Sequence, residues 1–69
     1  MKLLDVVALL DDIPAKALRR GQVGTIVEVL APGVFEVEFS DLEGRAYAAA
    51  ALPATRLMVL HRQPTSALD

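Results

Sequence analysis

The sequence predicts an all-β fold, a small and partly open barrel of five strands. Pro and Gly divide the 69 residues into short apolar segments of strand length, which recur at roughly 8–12-residue spacing. One segment, residues 35–39, alternates apolar and acidic side chains, as a strand with one buried face does. A chain of this length holds one domain and is too small for a sandwich of two sheets.

The β-branched residues and the turn-forming residues predict the first three strands. The Val6-Val7 pair favours a strand in a segment too short for a stable helix. Residues 23–30 are dense in Val, Ile and Thr, and Ala31-Pro32-Gly33 supplies a turn into residues 35–39. Alternation in the second strand is imperfect, because Ile26 falls on the face of Glu28, which indicates two covered faces or a bulge near Gly24.

The fourth and fifth strands are bounded by turn residues. Gly44 precedes an alanine-rich fourth segment, and Pro53 to Arg56 is expected to form one turn of 3₁₀ helix before the last strand. We expect a barrel domain over residues 1–62 and a flexible tail over 63–69. The predicted strands lie near 3–10, 22–30, 34–40, 45–52 and 57–61, with a long loop at 11–20.

The predicted core combines the inward positions of these strands with one residue of the long loop. It consists of Val7, Leu9, Leu18, Val23, Val27, Val29, Phe35, Val37, Phe39, Leu52, Leu57 and Val59.

Charge and composition exclude several classes of function. Seven Lys and Arg against nine Asp and Glu give a net charge of −2, so no global field attracts polyanions. Cys is absent, which removes disulfides and cysteine-based metal or thiol chemistry. The longest segment without charge or Pro, residues 46–52, is far shorter than the ~20 residues of a membrane-spanning helix. We expect a cytoplasmic protein.

Three segments together resemble a known family. They run from Asp5 to Pro14, from Leu18 to Val29 and from Phe35 to Phe39, and the second contains Leu-x-x-Gly-x-x-Gly-Thr. Over about residues 2 to 62 the chain resembles the small bacterial proteins of domain-of-unknown-function family 4926. The resemblance implies an SH3-like barrel, similar also to that of the nitrile hydratase beta subunit. It implies no settled activity. The concrete function that it suggests is a toxin-neutralising or immunity role.

The fourth strand holds the candidate partner-binding residues. Methyl-sized side chains fill a core poorly but let another backbone come close. Either two alternating alanines face a narrow barrel interior and two lie on ordinary surface, or the smooth face is part of an interface with another chain. The candidate residues are Tyr47, Ala48, Ala49, Ala50 and Ala51. Because 54% of residues are hydrophobic in so small a chain, we expect apolar surface to remain outside and to bind another protein or a second copy.

A second hypothesis is an RNA or ribosome-associated module. The Gly21-x-x-Gly24-Thr25 segment is similar to the KOW element, and Lys16, Arg19 and Arg20 precede it and could contact phosphates. The alternative is a solvated loop that binds no RNA and whose glycines permit a tight turn.

Catalytic and metal sites are not indicated. His61 is the only histidine and has no carboxylates at ligand spacing, and Glu36 with Glu38 repeats the alternation of any solvent face. We therefore expect no enzyme and no cofactor, but a non-catalytic protein-binding module.

Overall fold

The computed structural model describes residues 1–61. The predicted tail, 63–69, and the last residue of the predicted domain lie outside this range. Within it, no helix has the length and apolar character needed to cross a membrane.

The described residues form five strands and no α-helix, which confirms the all-β prediction. The strands are β1 (Val6–Leu9), β2 (Val23–Ala31), β3 (Val34–Ser40), β4 (Ala46–Pro53) and β5 (Leu57–Val59). Two short 3₁₀ helices lie at Pro14–Lys16 and Ala54–Arg56, the second where the sequence predicts it. β1 is shorter than predicted, because Leu4 has a positive φ of 71° and interrupts the extended chain before it.

All neighbouring strands are antiparallel and form one sheet in the order β4-β3-β2-β1-β5. β2, β3 and β4 form a meander, while β1 joins β2 to β5. Among the described residues β4 and β5 do not pair with each other. The fold is therefore the partly open, SH3-like barrel that the sequence predicts.

The core lies on the concave face of this sheet, and most of its predicted members are buried there. Val37 and Phe39 are fully enclosed, and Leu18 reaches the same cluster from the long loop. Val59 is partly buried and packs against the cluster. The buried hydrophobic cluster is Val7, Leu9, Leu18, Ile26, Phe35, Val37, Phe39, Ala50, Leu52 and Leu57.

The predicted core was wrong in β2. Val23, Val27 and Val29 are 44%, 40% and 52% exposed, whereas Ile26 is 0% exposed. The pairing with β3 shifts between Ile26 and Glu28 and again between Val29 and Ala31, so Val27 and Leu30 are the extra residues of two bulges. Each bulge reverses the alternation that follows it, and no single period-two pattern describes the strand.

Gly24 sits in regular register opposite Phe39, and no bulge lies at the position where the sequence suggested one. Its absent side chain serves packing. A β-carbon there would lie 2.7 Å from Val37 Cγ1 and 2.8 Å from the carbonyl oxygen of Glu38. Glycine therefore lets β2 and β3 pack closely at the centre of the sheet.

The loop between β1 and β2 covers one end of the barrel. Ile13 and Leu18 bridge through their backbones, which turns the buried Leu18 inward. Ala17 makes this turn with a positive φ of 56°. Arg56 Nε donates to Asp11 Oδ1 at 3.1 Å and ties the loop to the second 3₁₀ helix.

Candidate interaction surface

β4 is an edge of the sheet. Its eight residues pair with β3 alone among the described residues, so one side of the strand adjoins no other strand there. No residue from Ala46 to Leu52 is charged. Natural edge strands are commonly protected by charge, Pro, a bulge or short length. Here Pro53 protects one end of β4 and a bulge at Tyr47 protects the other.

The four consecutive alanines alternate between the two faces of the sheet. Ala50 is 4% exposed and contacts the core, and Ala48 is partly buried against it. Ala49 and Ala51 are exposed on the opposite, outer face. The side chain of Ala50 therefore packs on the core side, and Ala49 and Ala51 are the alanines of this run with exposed side chains.

The backbone of the outer edge offers hydrogen bonds at alternate residues. Ala54 N–H donates to the Gly33 carbonyl at 2.8 Å. This bond determines the phase of the β3–β4 ladder, that is, which alternate residues of β4 direct their N–H and C=O groups toward β3. In this phase Leu52 bonds with Phe35, and Ala50 with Val37. The intervening Ala49 and Ala51 direct N–H and C=O away from β3, toward the open edge.

Tyr47 stands at one end of this edge and is 50% exposed. Its hydroxyl accepts a hydrogen bond of 3.2 Å from Gln22 Nε2, and the side-chain oxygen of Gln22 accepts from the backbone N–H of Arg19. This hydrogen bond connects the ring to Gln22, which directly precedes β2. The structure brings Tyr47 close to the loop that carries the predicted RNA-binding residues.

These residues, Lys16, Arg19 and Arg20, are exposed on the loop between β1 and β2. Lys16 ends the first 3₁₀ helix, and the backbone N–H of Arg20 donates to Asp12 Oδ1 at 2.8 Å. The loop therefore combines acidic and basic groups and does not form a uniformly positive surface.

Carboxylates lie beside the outer face of β4. Glu38 is opposite Ala49 and Glu36 is opposite Ala51, while Glu28 is opposite Glu36 across the β2–β3 pair. The ion pairs formed within residues 1–61 involve Asp5, Asp11 and Glu43 instead. The alternation of residues 35–39 signals this outer face, and it lies beside Ala49 and Ala51 because β3 pairs with β4.

A groove of about 460 Å³ crosses the outer face beside the acidic residues. Val23, Thr25, Ser40 and the fully exposed Leu42 contribute to its walls. Exposed Val23 was predicted to be core, so the sequence analysis missed this apolar contribution. This groove therefore lies over β1, β2, β3 and the turn after β3, inward of the β4 edge.

A carboxylate with a lowered pKa, that of Asp5, lies outside this surface. The side chain of Lys2 hydrogen-bonds to the Asp5 carboxylate, and so does the Lys2 backbone N–H, which together lower the pKa of Asp5. Within residues 1–61 no group of three or more His, Cys, Asp or Glu residues is arranged to hold a metal ion.

Comparisons with known proteins bear on the family of the chain. A search of curated proteins and a search of solved structures each found no match. Residues 3–59 match the family described as Domain of unknown function (DUF4926). This match includes every strand of the described fold. The protein belongs to that DUF4926 family.

Proposed function

We propose that the protein is a non-catalytic, cytoplasmic protein-binding module and that β4 is its contact strand. The observation that carries the proposal is the uncharged edge, where Ala49 and Ala51 direct backbone donors and acceptors away from the sheet. Tyr47 and the outer alanines supply the adjoining side-chain contacts.

Strand addition explains how so small a surface can bind. An extended segment of a partner pairs with a sheet edge through main-chain hydrogen bonds, and the flanking side chains give specificity. Alanine suits this mode, because its side chain has no rotamers to immobilise on binding. In the form that the family resemblance suggests, the partner is a toxin that the module neutralises.

RNA association is the second candidate, supported by the placement of Lys16, Arg19 and Arg20 on one exposed loop. Asp11 and Asp12 in the same loop oppose it. A gel-shift titration with added salt tests it, since phosphate contacts lose affinity steeply as salt rises. A steep loss of RNA binding that Arg19→Ala and Arg20→Ala abolish would favour RNA over protein as the partner.

The proposed function is tested by comparing tagged wild type with a double variant, Ala49→Lys with Ala51→Lys. Both substitutions lie on the exposed face, and charges on an edge oppose strand pairing. Met58→Lys is a matched control, because Met58 is exposed on β5, the strand at the other end of the sheet.

A protein that co-purifies with wild type and Met58→Lys but not with the double variant is then purified and mixed with the chain. We expect a stoichiometric complex that again requires an uncharged edge. A partner that binds all three proteins equally would move the contact away from β4. Failure to find any partner protein would count against the function itself.

A further inference from the structure

We infer that the β4 edge pairs with the β4 edge of a second copy, antiparallel and about a two-fold axis at Ala50. This inference shares its contact strand with the proposed function and names one occupant of it. The two sheets then become one continuous sheet, and each copy covers the edge that the other leaves open. The supporting observations are the hydrogen-bond phase, the ends of the strand and the placement of charge.

Hydrogen-bond phase restricts how two such edges can meet. With Ala50 opposite Ala50 of the second copy, Ala49 lies opposite Ala51, and these are the residues whose N–H and C=O groups point outward. Each Ala49 then exchanges both backbone bonds with Ala51 of the second copy. The central Ala50 pair occupies a site without hydrogen bonds, where Cα atoms approach to about 4.5 Å and a methyl group fits.

The ends of the strand fit the same register. Tyr47 is the bulged residue, and Pro53 lacks an N–H to donate. With the axis at Ala50, Tyr47 of each copy lies opposite Pro53 of the other, so both features that end the ladder coincide. A shift by two residues would place Pro53 or Tyr47 opposite an alanine and lose hydrogen bonds. The register is therefore defined by the strand itself.

Side chains and charges are compatible with this pairing. On the core side, Ala48 meets Leu52 of the second copy, and both residues are apolar. On the outer side, one row of side chains crosses both copies. It contains Glu38 and Ala49 of the first copy, followed by Ala51 and Glu36 of the second copy. Three strand spacings separate the carboxylates, about 14 Å. This exceeds the Debye length of about 8 Å at physiological ionic strength, so repulsion is largely screened.

The contact is small, which sets the conditions of the test. One pair of short strands buries less surface than the roughly 1,200 Å² at which stable interfaces begin, so a weak, reversible dimer is expected. Sedimentation velocity of the full chain, from about 5 µM to about 1 mM, measures it directly. We expect the wild type to change from monomer toward dimer over this range.

Charge exchange tests whether the two β4 edges face each other. One double variant carries Lys at both positions 49 and 51, and the other carries Glu at both. Each is expected to remain monomeric, because like charges lie directly opposite across the axis. Their equimolar mixture is expected to dimerise, because every Lys then faces a Glu. Met58→Lys, with added charge on the strand at the other end of the sheet, is expected to dimerise as the wild type does.

A wild type that stays monomeric throughout would overturn the inference. So would a mixture that fails to associate although both variants keep the wild-type circular dichroism spectrum. Either result leaves the proposed function standing if a different protein binds the β4 edge. If both charged variants dimerise alone, the copies meet elsewhere and the inference fails.

Discussion

Gly24 is the residue at which the sheet has no room for a side chain. Gly24→Ala would force its β-carbon against Val37 and the Glu38 carbonyl, whose backbone cannot rotate away. We expect a loss of about 1–3 kcal/mol in the free energy of unfolding, as in other overpacked cores. Urea denaturation measures the loss, with the neighbouring Thr25→Ala, on the other face, as control. Equal midpoints for Gly24→Ala and wild type would contradict the close packing.

Ala17 presents the opposite case, a side chain where glycine is preferred. Its φ of 56° is left-handed and strained for alanine, and it directly follows the 3₁₀ helix Pro14–Lys16. We expect Ala17→Gly to raise the free energy of unfolding by about 0.5–1 kcal/mol. Ala15→Gly, two residues earlier within the helix, should lower it. Thermal melts of both variants test the contrast, and a shared sign would refute the strain.

Single residues also show what the sequence could predict. Phe35, Val37 and Phe39 were placed correctly in the core, because strict alternation in β3 is uninterrupted. Val27 was not, because it is the extra residue of a bulge, and Val29 was not, because it lies opposite Phe35 yet remains 52% exposed. The irregular alternation of β2 indicated a bulge, but only its pairing with β3 shows that the extra residues are Val27 and Leu30.

At the scale of one element, β2 allows a direct test of this bulged register. Ile26→Ala should cost about 2–5 kcal/mol, because it empties a fully enclosed site. Val27→Ala, at the next residue, should change stability by about 0.5 kcal/mol or less, because Val27 is exposed. Chemical denaturation compares them. Similar costs for the two variants would mean that the bulge is misplaced.

The β2–β3 pair also contains an unfavourable contact. Glu28 and Glu36 are direct cross-strand neighbours, and like charges in that position destabilise a sheet. Glu28→Lys should therefore stabilise the protein by about 0.2–1 kcal/mol, and the gain should shrink as salt is added. Glu38→Lys is the control, because Glu38 faces Thr25 in the same ladder. A gain unaffected by salt would indicate a cause other than charge.

For the whole molecule, the fold was more predictable than the surface. Turn residues and strand-length apolar segments define the five strands locally, and few topologies satisfy them in so short a chain. The alanine run was recognised as a candidate interface, but two facts about it were not local. Ala50 is buried and β4 is an edge only because of how β3 and the core lie against that strand.

Association and stability should be linked across the whole molecule. The chain has no disulfide, and a core this small typically supplies only about 3–5 kcal/mol to the free energy of unfolding. A second copy paired with β4 should therefore add a substantial fraction of that stability. Binding to the folded state alone stabilises it by mass action. We therefore expect the melting temperature of the wild type to rise with protein concentration, by about 4–8 °C for each kcal/mol gained.

The double variant with Lys at positions 49 and 51 separates this effect from concentration itself. Its exposed substitutions leave the core unchanged, so it should fold, and its melting temperature should be the same at about 10 µM and about 1 mM. Calorimetry of both proteins at these concentrations makes the comparison. If the melting temperature of the wild type does not change with concentration, the edge contributes no stability to the native protein. If the melting temperature of the variant rises with concentration as much as that of the wild type, the gain comes from another surface.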